Sequence, residues 1–249
     1  MSPKNTTEIK YPLFRNLGDS ALLVVAGNSV SPPINSQVRG LITEIREKDW
    51  PGILEMVPSY SSLVIHFNPL VLSVSAIESL IWDVWDLAAA VEERSGKIIS
   101  IPTLYGGNFG PDIDEVSELT GFSTEEVIEK HSGVNYLVYA LGFSPGFPYL
   151  GGLDESLKCA RLSSPRLNVP AGSVAIADLQ TGIYPVASPG GWRIIGRTPI
   201  KIFDHLRNSP SLIDPGDFIK FEPLDDEKMY RDIENQVTED IFEIEVKSS

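Results

Sequence analysis

Three arginines in one glycine-rich stretch, Arg166, Arg193 and Arg197, are the first residues whose type and setting suggest chemistry. A guanidinium can meet a carboxylate or phosphate with two parallel hydrogen bonds. Residues 142–199 hold 9 of the 20 glycines and 7 of the 19 prolines. The same stretch carries 5 Lys/Arg against 3 Asp/Glu, a net +2, whereas the whole chain carries −14 and the remainder therefore −16. A mildly basic, glycine-rich surface on a strongly acidic protein is where an anionic ligand is expected to bind. The competing reading pairs these arginines with internal acids, and the sequence leaves both open.

Other reactive residues are sparse. Cys159 is the one cysteine, so no internal disulfide and no cysteine-rich zinc site can form. His131 is a conceivable base for it, but nothing in the spacing supports a pair, and Cys159 reads as a buried or half-buried thiol. His66 lies in the alternating run Leu63–Phe67 and reads as structural. The three histidines, His66, His131 and His205, are far apart and none falls in a metal-ligand spacing, so no metal site is expected. The segment Gly190–Gly196 lacks the Gly-Lys-Ser/Thr ending of a phosphate-cradling loop. There is no Gly-x-Ser-x-Gly elbow and no Met-Lys-Met biotin acceptor. If such a chain works in an enzyme, part of the machinery is expected elsewhere.

The elements that must position these residues fall into two groups. At 249 residues, with 42% hydrophobic and 22% charged, the chain is globular in composition and long enough for one large domain or two small ones. The net charge argues against a nucleic-acid partner or a polybasic membrane contact. The N-terminus shows no apolar signal core and no stretch reaches about 18 apolar residues, so the expectation is a soluble, cytoplasmic protein. Repeats are absent.

In the first ninety-five residues, Ala21–Ala26, Ile53–Val57 and Leu63–Phe67 read as strands. Val38, Leu41, Ile42 and Ile45 recur at helical spacing and predict a helix over about 35–47. Ile77, Leu80, Ile81, Val84, Ala88 and Val91 form one apolar stripe, with a capping box at Ser75 and Glu78 and a stop at Gly96. With a last strand at Ile98–Ile101 the order is β-α-β-β-α-β, the split, ferredoxin-like plan. Beyond Pro102, Asp112 with Glu115 and Ser123 with Glu126 have capping-box spacing and predict short helices over 113–119 and 124–131. From Tyr136 the helical period gives way to short strands, at 136–141, 173–177, 193–195, 200–203 and 218–221. That pattern belongs to a closed antiparallel barrel or a sandwich. The expected division is 1–95 for a small α/β domain, 96–224 for a β domain and 225–249 for an acidic tail. The stretch Glu222–Ser249 holds 10 acidic and 3 basic residues and is expected to be a solvated or partly ordered extension.

Several long motifs stand in order: Gly142-Phe-Ser-Pro-Gly-Phe-Pro-Tyr-Leu-Gly-Gly-Leu153, Pro165–Val174, Gln180–Pro185, Ser188-Pro-Gly-Gly-Trp192 and Ile195-Gly-Arg-Thr-Pro199. Upstream stand Leu17–Leu23, Tyr60–Val64, Ile101–Gly107, Phe109–Asp112 and His131, and Pro215–Phe218 closes the set. Together they resemble the allophanate hydrolase subunit 1 family over about residues 9–224. That family includes the B subunit of the ATP-dependent 5-oxoprolinase and a Kip-type inhibitor of a histidine kinase. The resemblance implies an α+β chain, with a small ferredoxin-like α/β N-terminal domain followed by a cyclophilin-like β-barrel. It also implies a hydrolase subunit that cleaves 5-oxoproline to glutamate, with ATP as co-substrate of the complex and no activity alone. The implied partners are a homologous subunit 2, itself biotin-dependent-carboxyltransferase-like, and a lactam-utilisation protein. A urea carboxylase or allophanate hydrolase complex and kinase inhibition are the alternative roles. Where the family often has a cysteine before Tyr105, this sequence has Leu104.

Amide activation needs donors aimed at an oxyanion and few competing waters. On this reading His131, Gln180 and Tyr184 are the catalytic candidates: a ring that titrates near neutrality, an amide that donates and accepts, and a phenol. Gly142, Pro145, Gly146, Arg166, Gly190, Gly191, Arg197 and Thr198 are the substrate-binding candidates, on glycine-rich loops that expose main-chain N–H groups.

Overall fold

The computed structural model describes residues 10–90, 96–239 and 241–248. The chain divides into two compact units, Met1–Arg94 and Ser95–Ser249.

The first unit contains β1 (Leu13–Asn16), β2 (Ala21–Val25), α1 (Pro32–Lys48), β3 (Ile53–Pro58), β4 (Ser62–Phe67) and α2 (Val74–Ala90). The sheet order is β1-β2-β4-β3, with each neighbouring pair antiparallel. Alternation along β2 and β4 puts Leu22, Val24, Leu63, Ile65 and Phe67 on one face. The stripes of α1 and α2, including Val38, Leu41, Ile77 and Val84, cover it. His66 lies half-buried in β4, in register with Ala21 and Glu55.

Two sequence expectations change here. The strand at 98–101 does not complete this sheet. Its place beside β2 is taken by β1, delivered by the hairpin that turns at Gly18. Helix α2 starts at Val74, and Ser73 Oγ accepts the Ala76 N–H at 3.2 Å, so Ser73 rather than Ser75 caps it. The stop expected at Gly96 follows residues 91–95, which lie outside the described residues.

The second unit contains β5 (Lys97–Tyr105), α3 (Ile113–Thr120), α4 (Thr124–Ser132), β6 (Asn135–Leu141), β7 (Pro148–Gly151) and a single 3-10 turn at Glu155–Leu157. It continues with β8 (Arg166–Val169), β9 (Ser173–Ala177), β10 (Gln180–Ile183), β11 (Ser188–Gly190), β12 (Arg193–Arg197), β13 (Phe218–Pro223), α5 (Glu227–Thr238) and β14 (Val246–Ser248). Seven strands run β12-β9-β10-β7-β6-β13-β5, and β12 pairs again with β5 to close a barrel. All of these pairings are antiparallel except β5 with β13. Ile99, Ile101, Tyr136, Val138, Leu150, Val174, Ile176, Ile183, Ile195, Ile219 and Phe221 point inward as its core. Helices α3 and α4 add Ile113, Val116 and Val127. The mixed α+β fold with a barrel is therefore as the sequence and the resemblance led us to expect.

The capping box at Ser123 and Glu126 is present, with both reciprocal bonds formed at 3.2 and 2.8 Å. The one at Asp112 and Glu115 is absent, because both carboxylates are held by arginines. Residues 200–203 form no strand. Pro199 lacks a donor, the Thr198 hydroxyl takes the Ile200 N–H at 3.2 Å, and an isolated bridge from Phe203 to Ser211 is all that remains.

The acidic C-terminal stretch is not a loose extension. Helix α5 is capped by Asp226, and Tyr230 is 4% exposed against Phe109, ring centroids 4.7 Å apart. β14 pairs with the first three residues of β5, while β12 occupies the far end of the same edge. Charge alone suggests solvation, but Tyr230, Ile233, Val237, Phe242 and Ile244 supply enough apolar area to dock the segment. Among the described residues no helix is long and apolar enough to cross a membrane.

Replacing Tyr230 with alanine should therefore cost about 3 kcal/mol of stability. Denaturant unfolding of the full chain checks this, since a tail that merely trails in solvent would lose less than about 0.5 kcal/mol.

Candidate functional site

Strands β9, β10 and β12 are buried on both faces. Val174, Ile176, Ile183 and Ile195 face the barrel interior, while Ala175, Ala177 and Ile194 face outward into a second cluster with Phe147, Val169, Tyr184 and Trp192. Small outward residues leave room for rings. Phe147 meets Tyr184, Trp192 and Tyr149 edge-on at centroid distances of 5.2, 5.6 and 5.0 Å. The glycine-rich loops thus form a rigid aromatic layer on the outside of the barrel.

Asp112 anchors this layer. Its carboxylate accepts two hydrogen bonds from Arg166, at 2.9 and 2.5 Å, and a third from the Ile194 N–H at 2.7 Å. The side chain of Asp112 is 7% exposed and that of Arg166 31%. Arg166 opens β8, and Gly190 lies opposite it in β11. A Cβ on Gly190 would overlap the Tyr184 hydroxyl, so only glycine allows that approach. Burial pushes the Tyr184 phenol up, against opposing effects of a hydrogen bond from the Trp192 main chain and the charges of Arg161 and Arg166. At neutral pH it is a protonated donor. Arg161 lies over the Trp192 ring, 5.8 Å from its centroid, with no carboxylate within ion-pair distance among the described residues.

At the rim, Phe143 is 66% exposed with φ of 64°, in a three-residue turn closed by Ser144 N–H to Gly142 O at 2.7 Å. This turn is rare and strained for a residue with a side chain. Gly146, with φ of 78°, packs so closely on Phe203 that a Cβ would displace that side chain. Pro145 is exposed between them.

The structure brings Arg166, Tyr184, Gly190 and Gly191 together, with the Gly142–Gly146 loop joined to them through Phe147. It places the other candidates elsewhere. Gln180 is half-buried at the start of β10, in register with Gly151 and Ala177. At about 3.4 Å per residue it is about 14 Å along the chain from Tyr184. Arg197 stacks over Phe109, 5.7 Å from the centroid, in the cluster that contains Tyr230. Thr198 is 2% exposed; its hydroxyl caps Ile200 and its N–H bonds Gly172 O. Arg193 pairs with Glu115 at 2.7 Å. Two of the three arginines thus meet internal acids. Cys159 is buried in the barrel core, and burial pushes its thiol up.

His131 is the clearest correction. It is completely buried, and desolvation pushes its pKa down to about 3, so it does not titrate near neutrality. Thr181 Oγ1 donates to Ala175 O at 3.1 Å, so it must accept from His131 Nε2 at 2.8 Å. Nδ1 is then the bare nitrogen and accepts the Tyr105 hydroxyl at 2.8 Å. Tyr136 donates to the His131 carbonyl at 2.7 Å, and its ring and that of Phe221 flank the imidazole. Each polar group in the chain is satisfied, which makes it a structural unit.

Asp112, Arg161, Trp192 and Phe143 were missed as site residues. Asp112 was legible only as a helix cap. A three-acceptor carboxylate needs partners that lie 54 and 82 residues away.

A family model described as carboxyltransferase domain, subdomain C and D, matches residues 12–213. The chain belongs to this family. It is 41% identical over 224 residues to a Bacillus subtilis protein named as the B subunit of 5-oxoprolinase, covering 86% of this chain and 92% of that one. A relative of the same name from Escherichia coli O157:H7 is 42% identical over 211 residues, 83% of this chain and 94% of the other. The solved structure of Kluyveromyces lactis urea carboxylase superposes with a TM-score of 0.76 at 23% identity. It covers 95% of this chain, which spans only 24% of that longer one.

Two outcomes test this geometry. Asp112→Ala leaves a guanidinium and a main-chain donor unpaired and should cost about 3–5 kcal/mol. Glu115→Ala leaves the Arg193 guanidinium, whose side chain is 9% exposed, without its acid and should cost about 1–3 kcal/mol, both read by chemical unfolding. His131 binds its proton in the unfolded chain near pH 6.5 but in the folded one only near 3. Its contribution to stability is therefore complete above about pH 6.5 and is lost as the pH falls, at up to about 1.4 kcal/mol per pH unit. His131→Gln should flatten the stability profile between about pH 5 and 6.5, above the carboxylate range.

Proposed function

We propose that this protein is the B subunit of an ATP-dependent 5-oxoprolinase, cleaving the lactam 5-oxoproline to glutamate together with partner subunits. The observation that carries this reading is the 41–42% identity to proteins of that name over 92% and 94% of their length. The outer aromatic layer supports it. Its rim, the exposed Phe143 and the half-buried Tyr149, can take a planar lactam ring, while Phe147 and Trp192, 2% and 5% exposed, back it from within. The carboxylate of such a substrate meets Arg161, whose guanidinium is free of acids among the described residues. Gly190 and Gly191, both half-buried, offer main-chain groups beside the buried Tyr184 phenol. Arg166 acts as a positioning residue through its bonds to Asp112.

The chain's own residues on this reading bind and orient. No nucleophile with an adjacent base occurs among the described residues: Cys159 is a buried thiol and His131 is spent on Tyr105 and Thr181. ATP is the co-substrate of the complex. The glycine-rich loops here are poor cradles for its phosphates, because Arg166 and Arg193 are neutralised by Asp112 and Glu115. Nucleotide activation therefore belongs with the partners, a homologous subunit 2 and a lactam-utilisation protein, in the cytoplasm.

Purified alone, the chain should hydrolyse little or no 5-oxoproline in the presence of ATP, and activity should appear when the partner subunits are added. Arg161→Ala should lower kcat/KM of the assembled complex about 10- to 150-fold, the value of a charge-assisted contact of about 1.5–3 kcal/mol, with melting unchanged. Full turnover by the chain alone would overturn the division of labour. An unaltered kcat/KM in Arg161→Ala would overturn the site.

A further inference from the structure

A cleft of about 370 Å³ lies in the barrel unit, and none of its lining residues belongs to the aromatic layer. Its lining includes three cations, Lys97, Lys201 and Arg207. Its apolar wall is made by Ile200 and Leu212 on one side and by Val237, Phe242 and Ile244 of the C-terminal segment on the other. The family match ends at residue 213, so Asp214, Val237, Phe242 and Ile244 of its lining lie outside it.

Arg207 is fixed rather than trailing in solvent. The loop that carries it is pinched by the Phe203–Ser211 bridge, and its Nη2 donates to Lys201 O at 2.9 Å. Its Nη1 is shielded from solvent and has no acceptor among the described residues. The acids beside the cations limit the charge that a ligand here can carry. Asp214 lines the cleft. Asp204 has its carboxyl held down first by the Leu206 N–H and then by Lys201, Arg207 and His205. Three cations against two carboxylates leave one net positive charge, which suits a monoanion better than a phosphate dianion. Ser209 and Ser211 do not compete as donors, because their hydroxyls already donate to Ser211 O and Ile213 O.

We propose that this cleft is a binding site for a small amphipathic monoanion, a carboxylate on a short apolar body. The carboxylate sits at Lys97, Lys201 and Arg207, and the apolar body lies against Phe242, Ile244 and Leu212. The C-terminal segment, which docks on β5, is then one wall of a site as well as a structural strand. This inference is independent of the 5-oxoprolinase reading.

Calorimetric titration of the full chain tests it, with octanoate as the probe, octanol as the uncharged analogue and acetate as the anion without an apolar body. Octanoate should bind, and the other two should bind at least about tenfold more weakly. Lys201→Gln and Arg207→Gln should each weaken octanoate about tenfold, as expected for one charge-assisted contact. Lys201 is exposed, so its variant should melt with the parent and carries the test even if Arg207→Gln loses stability. No octanoate binding, equal binding of octanol, or undiminished affinity in Lys201→Gln would overturn the proposal.

Discussion

The barrel unit depends on one buried carboxylate. Asp112 stands where a helix cap is expected, yet it spends its acceptors on Arg166 and on the Ile194 main chain. Those bonds join the start of α3 to outer strand β8 and to barrel strand β12. A nearly buried carboxylate with three donors, two of them charged, is held in one place, and so is everything that donates to it. The aromatic layer can then rest on β8 and β11, a two-stranded sheet with a shifted register that would be marginal by itself.

The same strands carry two cores. Residues of β9, β10 and β12 alternate between the barrel interior and the outer rings, and the alternation is large inside and small outside. Ala175 and Ala177 make space into which Phe147, Tyr184 and Trp192 fold. This explains why a stretch rich in glycine and proline is ordered. Its loops fold onto the barrel's outer face, and each close approach, such as Gly190 on Tyr184, is one that a side chain would forbid. Phe147, Tyr184 and Trp192 are themselves buried, so they hold the rim of the layer rigid, and a ligand at that rim would bind with little ordering cost.

Periodicity made the small α/β unit legible, because α1, α2, β3 and β4 each carry their own apolar stripe or alternation. It failed where a strand's partner is remote. Ile98–Ile101 has the right composition for the sheet of the first unit and even the right place in the order. It pairs instead with β13, which is 120 residues away, and β1 takes the vacant edge. The short strands β7, β8, β10 and β11, three or four residues each, carry too little pattern to be read. Charge misled at the C-terminus. Ten acids hid the five apolar residues that dock α5 and β14. The motifs that signalled the family also marked the loops of the candidate site, but they could not distinguish arginines that face ligand from arginines that face carboxylate. That difference is set by Asp112 and Glu115, which were readable only as helix starts.

His131 shows why residue type alone is a poor guide to chemistry. Its ring is the one titratable group near the motifs with a pKa suited to neutral pH in water. Inside the barrel it has a donor on one side, an acceptor on the other and aromatic faces beside it. Protonation would leave the Tyr105 hydroxyl facing a donor and would place a charge among Phe221 and Tyr136, so the folded state holds the neutral ring. A satisfied polar chain of this kind fixes the register of α4 against β5 and β10. Cations without an ion-pair partner among the described residues stand elsewhere: Arg161 above Trp192, and Arg207 in the cleft beside the C-terminal segment. Both are cations in a chain of net charge −14, and both sit beside apolar surface. Local positive potential next to apolar walls selects small organic anions over the bulk of cellular polyanions, which the acidic remainder of the protein repels.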